Sequence, residues 1–189
     1  MEKEIGLKKG IVKVEKYNPR WQEEFRKEQE NLKKIFGNVA KSIEHVGSTS
    51  IVGLCAKPII DIAVGVDALE DINEVKEKIL KLPHYSVKED NADGEILMRK
   101  GSPVREGETK PDFITHFIHI MEINGRKYRE TLTFRDYLRA NPEVLKEYEK
   151  LKQKLAIEYQ NDRKTYFRAK DKFIKSILSK CDSSNFSNC

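Results

Sequence analysis

The sequence lacks three features that would assign it to common protein classes. No apolar run approaches the roughly 18 residues that a membrane-spanning helix needs, so we expect no membrane partner. The first ten residues, MEKEIGLKKG, contain no apolar stretch typical of a secretory signal. The three cysteines include no CxxC pair, which argues against both a disulfide framework and a zinc site. We therefore expect a reduced, cytoplasmic protein.

Charge is abundant instead, and it is unevenly distributed. Charged residues make up 35% of the 189 residues and hydrophobic residues 38%, a composition typical of a globular domain. The net charge of +5 is matched by residues 142–180 alone, which hold 11 Lys and Arg against 6 Asp and Glu. A basic helical segment attracts phosphates or nucleic acid. Interspersed signs are more typical of a solvated helix surface, so we do not expect nucleic acid as a partner.

Hydrophobic periodicity predicts that helices and strands alternate along the chain. Asn18-Pro19 starts a helix that Gly37 ends, and Asn141-Pro142 starts another, because each pairs an N-cap residue with proline. Further helices are predicted over 69–80, 125–139 and 166–178. Strands are predicted over 11–14, 39–45, 58–66, 85–87, 96–100 and 113–123. The polar segment 101–112 is predicted to be a loop, and 181–189 a disordered tail.

These elements predict one α+β (mixed α/β) domain. A small mixed β-sheet is expected, covered by helices on one side, with a C-terminal helical extension. The domain spans residues 1–180, with its core over 38–125 and its C-terminal helices over 125–180. A chain of 189 residues is long enough to form one sizeable hydrophobic core.

The strongest indication of chemistry is the segment HVGSTSIVGLCAKPIIDIAVGV. Its Gly-Ser turn lies where a strand is expected to give way to a short helix. Glycine permits close approach of the backbone, and free N–H groups at a helix start bind anions such as phosphate. Ordinary N-capping by Ser and Thr is the alternative. The residues concerned are Gly47, Ser48, Thr49 and Ser50.

Asp61 lies on the apolar strand that follows this turn. Side chains alternate along a strand, so Asp61 shares a face with Ala63 and Gly65, while the isoleucines and valines face the other way. A carboxylate among apolar residues is costly unless it is paired or bound to a cation. A Mg²⁺ ion held by this carboxylate and by substrate phosphates would meet that need. Hydrogen bonds from the Ser and Thr residues of the turn would meet it as well, and both alternatives stay open.

Four other side chains are candidates for the same site. Lys57 could neutralise a phosphate or extend to solvent. His116 and His119 lie three residues apart on a strand, so they face opposite sides, and His119 could face the site as a metal ligand or an acid–base group. Arg135 and Arg139 lie one helical turn apart and could clamp a phosphate, or they could form ion pairs within their helix.

Four blocks of sequence together resemble the GrpB-like family of the nucleotidyltransferase superfamily. In chain order they are YNPRW, HVGSTSIVGLCAKPIIDIAVGV, THFIHI and TFRDYLRANPEVLKEYEKLKQKLA. The core of that superfamily is a small mixed sheet with helices, and its signature is a Gly-Ser turn, an Asp-x-Asp/Glu strand and a third acid on a later strand. By this resemblance Gly47 and Ser48 match the phosphate-binding turn and Asp61 matches the first metal ligand. Ala63 occupies the position of the second ligand.

The resemblance implies Mg²⁺-dependent nucleotidyl transfer from a nucleoside triphosphate (NTP) to an unknown acceptor, with Asp61 as metal ligand and catalytic residue. His119 is the second catalytic candidate, and His119 or Glu122 could replace the missing ligand. Because Ala63 supplies no carboxylate, a catalytically inert protein that binds a nucleotide or a coenzyme A-related ligand is the alternative. The coenzyme A setting is suggested by GrpB-like sequences that are fused to dephospho-coenzyme A kinase. The expected phosphate-binding residues are Gly47, Ser48, Thr49, Ser50, Lys57, Arg135 and Arg139.

Overall fold

The computed structural model describes residues 5–88, 94–103 and 112–183, which form six β-strands and five α-helices. The strands are β1 (Leu7–Lys8), β2 (Ser42–Val46), β3 (Ile60–Val66), β4 (Tyr85–Lys88), β5 (Glu95–Gly101) and β6 (Phe113–Glu122). The helices are α1 (Arg20–Phe36), α2 (Asn73–Leu80), α3 (Arg126–Ala140), α4 (Pro142–Glu158) and α5 (Arg163–Ser183). Short 3-10 segments lie at Gly37–Val39, Ser48–Ser50 and Leu69–Ile72.

The strands form one mixed sheet in the order β2-β3-β6-β5-β4, and β1 pairs with β6 outside this path. β3 and β6 are parallel, and the other neighbours along the path are antiparallel. In the parallel register Asp61 lies opposite Phe117, and Ala63 lies opposite His119. The sheet therefore brings the strand that follows the Gly-Ser turn next to the strand that carries His119.

Helices cover both faces of the sheet, so the expectation of helices on one side is wrong. Leu32 of α1 and Ile79 of α2 pack with Ile62 in the largest hydrophobic cluster. Tyr128 of α3 packs with Ala63 on the opposite face. The alternation of β3 explains this arrangement, because its even-numbered side chains face α1 and α2 and its odd-numbered ones face the C-terminal helices. The expected mixed α/β class with C-terminal helices is confirmed.

The N-terminal strand is not where the sequence predicts it. Residues 11–14 form no strand, and β1 lies earlier, at Leu7–Lys8. The Val12 N–H donates instead to the Gln160 carbonyl oxygen (2.9 Å), between α4 and α5. The apolar residues of this segment therefore pack against the C-terminal helices. Loops and strands can both be buried in this way, so the apolar pattern alone does not identify a strand.

Two predicted segments lie partly outside the described residues. Residues 104–111 of the predicted loop and residues 184–189 of the predicted tail are not described, while α5 continues through residues 181–183. Within the described ranges, no helix combines the length and the apolar character that crossing a membrane requires.

Candidate functional site

The Gly-Ser turn lies directly against Asp61. Gly47 has a φ of +66°, a left-handed conformation that favours glycine. A Cβ atom at this position would lie 2.5 Å from Oδ2 of Asp61, so only glycine allows the turn and the carboxylate to come this close. Gly47, Ser48 and Asp61 line one cavity as a result.

The second half of the turn faces the protein interior. Thr49 and Ser50 are buried, and their hydroxyls are engaged with His45 Nε2 (3.0 Å) and with the Gly47 carbonyl oxygen (2.6 Å). The 3-10 segment that they form spans only three residues, so it offers no developed helix N-terminus. The structure therefore places Gly47 and Ser48 at the cavity, and it places Thr49 and Ser50 behind them.

We call the space in front of this turn the turn cavity, and its volume is about 290 Å³. Its polar lining comes from Ser48, Asp61, Lys127, Glu130, Thr131, Arg135, Tyr148 and Lys170. Its other walls are mostly apolar side chains of α3 and α5. The cavity thus lies between the sheet edge that carries the turn and the C-terminal helices.

A nearly buried lysine faces the turn cavity and has no anionic partner in the described part of the chain. Lys170 on α5 is 8% exposed. Burial lowers the pKa of its ammonium from 10.5 to about 8, although Asp61 favours the charged form. The ammonium lies 4.5 Å from the ring centroid of Tyr166, and no carboxylate of the described residues lies within ion-pair distance of it. Because a buried cation without a partner is destabilising, this position favours an anionic ligand.

Two further lysines surround Asp61. Lys152 on α4 is 2% exposed, its ammonium donates to the Cys55 carbonyl oxygen, and burial lowers its pKa to about 7. The Lys57 ammonium lies 4.2 Å from the ring centroid of Phe167, and burial holds its pKa well below the ordinary value. The carboxylate of Asp61 therefore lies among more cations than it can neutralise.

Asp61 lies beside His119, on the face that strand alternation predicts for that histidine. His119 Nε2 is 3.6 Å from Asp61 Oδ1, and His119 Nδ1 is 3.5 Å from Glu95 Oε1. Burial alone would lower the pKa of His119, but the two carboxylates raise it to about 9. Burial would raise the pKa of each carboxyl, but His119 and nearby lysines lower the pKa of both, and Glu95 reaches about 2. Without a bound metal ion, the two carboxylates therefore favour the imidazolium form of His119 at pH 7.

We expect His119 to give stability a defined dependence on pH. Its folded pKa of about 9 lies above the ordinary value of 6.5, so its stabilising effect is complete below pH 6.5 and is lost as the pH rises through 9. The free energy of unfolding of His119→Gln should therefore approach that of the wild type between pH 6.5 and pH 9. Denaturant unfolding across this range measures the difference, and a difference that does not change with pH would contradict the charged imidazole.

His116 and Glu122 both lie away from Asp61. His116 is 4% exposed, burial lowers its pKa to about 4, and its Nδ1 pairs with the Thr115 hydroxyl (2.9 Å). His116 is therefore a neutral histidine of the core. Glu122 is exposed at the end of β6, opposite Val66, so it lies too far along the sheet to bind the same metal ion as Asp61.

The position of the missing second acid is apolar. Ala63 is fully buried and packs with Val46, Met121 and Tyr128. In the part of the chain that the structure describes, no group of three or more His, Cys, Asp and Glu side chains is placed to hold a metal ion. These residues do not fit a two-ion site. A single Mg²⁺ ion that is shared between Asp61 and ligand phosphates requires only one protein carboxylate, and Asp61 could supply it.

The two arginines of α3 form the ion pairs that were the alternative to a phosphate clamp. Arg135 donates to Asp136 (2.8 Å) and Glu44 (2.9 Å). Arg139 donates to the same carboxylate of Asp136 (3.2 Å) and to the Ser50 carbonyl oxygen (2.9 Å). Arg135 lines the turn cavity, whereas Arg139 does not. Both side chains hold α3 against β2 and the Gly-Ser turn.

Comparison with known proteins assigns the chain to a family. Residues 11–180 match the family described as GrpB protein. The chain belongs to the GrpB family. The glutamate-rich protein GrpB of Alkalihalophilus pseudofirmus is 39% identical over 176 residues, which cover 93% of this chain and 98% of that protein.

The solved structure of a GrpB protein agrees with this assignment. GrpB from Enterococcus faecalis is 32% identical with a TM-score of 0.75, over 89% of this chain and 96% of that one. The structure of Cid1 in complex with its short product ApU is 17% identical with a TM-score of 0.49, over 76% of this chain and 42% of that one. The resemblance to GrpB-like proteins that the four sequence blocks indicate is confirmed.

Sequence reasoning about this GrpB-family chain missed Arg163 and Lys170, two cations of α5. Arg163, Phe167 and Lys170 follow an i, i+4, i+7 spacing that places them on one face of α5. Lys152 lies four residues after the buried Tyr148 on α4. These residues were recognisable in the sequence because each is a basic residue at a position where helix periodicity predicts an apolar one.

Proposed function

We propose that this chain binds a nucleotide through its phosphates in the turn cavity. The observation that carries the proposal is Lys170, a nearly buried ammonium that faces the cavity with no anionic partner among the described residues. Phosphate oxygens would supply the missing negative charge and would accept charge-assisted hydrogen bonds from Lys170 and from Ser48. The two lysines beside Asp61, Lys57 and Lys152, would add long-range attraction for the same phosphates.

The lining of the turn cavity favours an organic phosphate over inorganic phosphate. Apolar side chains of α3 and α5, including Phe134, Leu138 and Ile174, form its walls beyond the cations. Ligand sites typically combine such apolar walls with a few convergent polar groups. A nucleoside has the flat apolar base and the phosphates that this combination fits, and a coenzyme A-related ligand contains the same adenosine phosphate unit.

A thermal-shift screen tests the proposal with ATP, GTP, CTP, UTP, dephospho-coenzyme A and coenzyme A, each with Mg²⁺ and with EDTA. A ligand that binds only the folded state raises Tm by mass action. We expect a rise with at least one of them. A rise that requires Mg²⁺ would support an ion shared with Asp61, and no rise with any of the six would contradict the proposal.

Calorimetric titration of the selected ligand gives the sharper result, because anion binding should be coupled to proton uptake. Lys170 and Lys152 have pKa values of about 8 and about 7, so both are partly neutral at pH 8, and phosphates would raise both values. We expect uptake of up to about 1.4 protons at pH 8 and little at pH 6, where both lysines already carry their charge. Titrations in buffers of different ionisation enthalpy measure this number, and uptake that is equal at the two pH values would contradict the role of the lysines.

Mg²⁺-dependent nucleotidyl transfer is a second candidate, which the approach of Gly47 to Asp61 favours. An acceptor hydroxyl oxygen would bond to the α-phosphorus of the NTP while the bond to the bridging oxygen breaks. Pyrophosphate would leave with the electron pair, and the hydroxyl proton would pass to solvent. Asp61 is a poor base at pH 7 because its pKa is lowered, so its part would be to hold an ion that offsets phosphate charge when bound. Pyrophosphate release that is lost in Asp61→Asn would distinguish transfer from binding alone.

A further inference from the structure

A second cavity lies on the other side of Asp61, and the proposed function does not use it. We call it the arginine cavity, because Arg99 of β5 and Arg163 of α5 line it together with Phe117 and Phe167. Its volume is about 710 Å³. Asp61 lines both this cavity and the turn cavity, so its carboxylate forms part of the wall between them.

The two guanidinium groups of this cavity have no anionic partner among the described residues. Arg99 and Arg163 are half-buried, and neither forms an ion pair or a hydrogen bond from its side chain within the described ranges. Burial lowers the pKa of Arg99, and burial lowers that of Arg163 although Asp61 favours its charge. Fully buried arginines are usually paired in proteins, and two half-buried ones that share a cavity without a partner among the described residues favour an anionic ligand there.

Aromatic rings hold one guanidinium without using its hydrogen-bond donors. The Arg163 guanidinium carbon lies 4.6 Å from the ring centroid of Phe117 and 5.3 Å from that of Phe167. Contacts with ring faces stabilise the cation and restrict its plane. Its N–H groups remain available to a carboxylate or a phosphate, which a planar guanidinium can bind through two parallel hydrogen bonds.

The charges that line the arginine cavity also favour an anionic ligand. One carboxylate, that of Asp61, faces a larger number of cationic groups, which are Lys9, Arg99, His119, Arg163 and Lys164. The carboxylate also lies 3.6 Å from His119 Nε2, so it faces the histidine as well as the cavity. The apolar part of the lining includes Leu97 and Ile114 in addition to the two phenylalanines, so it offers surface to a hydrophobic body.

We propose that the arginine cavity binds a second small molecule, one that carries a phosphate or a carboxylate group on an apolar or aromatic body. The anionic group lies between Arg99 and Arg163, and the body packs against Phe117 and Phe167. This inference concerns residues that do not line the turn cavity, and it stands whether or not a nucleotide binds there. Where both cavities are occupied, the two ligands meet at Asp61.

The test uses phenyl phosphate and benzoate as probes, titrated into the full chain by calorimetry and followed by NMR. The two probes share the aromatic body and distinguish a phosphate from a carboxylate. Affinity for the better probe should fall at least tenfold in Arg99→Gln and in Arg163→Gln. Arg168→Gln changes an exposed arginine of the same helix and should leave affinity within about twofold of the wild type.

The variants lie on a strand and on a helix, so misfolding of one leaves the other informative, and thermal unfolding checks both. The inference is overturned if neither probe binds, or if Arg168→Gln weakens binding as much as the other two. It is also overturned if Lys170→Met weakens probe binding and the arginine variants do not, because the probe would then occupy the turn cavity. That last outcome would leave the nucleotide proposal intact. Conversely, if no nucleotide binds but Arg163→Gln lowers the affinity for the probe tenfold, the arginine cavity alone is supported.

Discussion

Replacing Lys170 by methionine is expected to stabilise the protein and to weaken nucleotide binding at the same time. A lysine whose pKa falls from 10.5 to about 8 destabilises the fold by an amount on the order of 3 kcal/mol at pH 7. Methionine keeps the packing and removes the charge, so the free energy of unfolding should rise by about 1–3 kcal/mol. Loss of a charged hydrogen bond to phosphate, worth about 1.5–3 kcal/mol, should weaken binding about ten- to hundredfold.

The pH dependence of this gain separates the charge of Lys170 from its packing. The destabilisation is fully present below pH 8 and fades as the pH rises toward 10.5, so the advantage of Lys170→Met should fade over the same range. Lys172→Met makes the same substitution at an exposed position of α5 and is the matched control. Denaturant unfolding and calorimetry measure the two effects. Unchanged nucleotide binding in Lys170→Met would remove the main support for a phosphate site in the turn cavity.

Replacing Gly47 by alanine is expected to be the most destabilising single-methyl change at the site. Gly47 has a φ of +66°, which costs an L-residue about 1–2 kcal/mol. The added Cβ would lie 2.5 Å from Asp61 Oδ2, and relieving such an overlap costs about 1–3 kcal/mol more. The free energy of unfolding should fall by about 2–5 kcal/mol in total, and displacement of Asp61 should weaken Mg²⁺-dependent ligand binding as well.

Gly53 provides the control for backbone conformation. It has a φ of +84°, and a Cβ atom there would meet no atom within 4 Å. Gly53→Ala should therefore show only the conformational cost of about 1–2 kcal/mol. Thermal and denaturant unfolding of both variants measures the excess for Gly47→Ala. Equal losses in the two variants would show that the contact with Asp61 contributes nothing.

The sequence predicts those parts of the site that follow from local geometry. Strand alternation places Asp61 on a different face from Ile62, and it separates His119 from His116, because successive side chains of a strand point to opposite sides. The Gly-Ser turn is recognisable because glycine is the residue that a left-handed turn requires. The mixed α/β class likewise follows from alternating helical and extended periodicities.

The parts that sequence reasoning missed depend on long-range pairing. Glu95 reaches the site because β5 and β6 pair antiparallel and place Leu97 opposite His119, a register that no local pattern encodes. Lys152 and Lys170 are buried because α4 and α5 fold back over the sheet edge. On their own helices, each is one lysine among several exposed ones. Propensity and periodicity assign charged helix residues to solvent by default, and tertiary contacts override that assignment here.

The apolar surroundings of Ala63 bear on the evolutionary history of the site. An aspartate at this position would have to lose its hydration among Val46, Met121 and Tyr128, and burial of an unpaired carboxylate is strongly destabilising. Substitution of Ala63 by aspartate alone would therefore lower the free energy of unfolding strongly. The neighbouring side chains on β2, β6 and α3 would have to change with it. Packing around Ala63 thus disfavours a second acid at this position, independently of any selection on what the cavity binds.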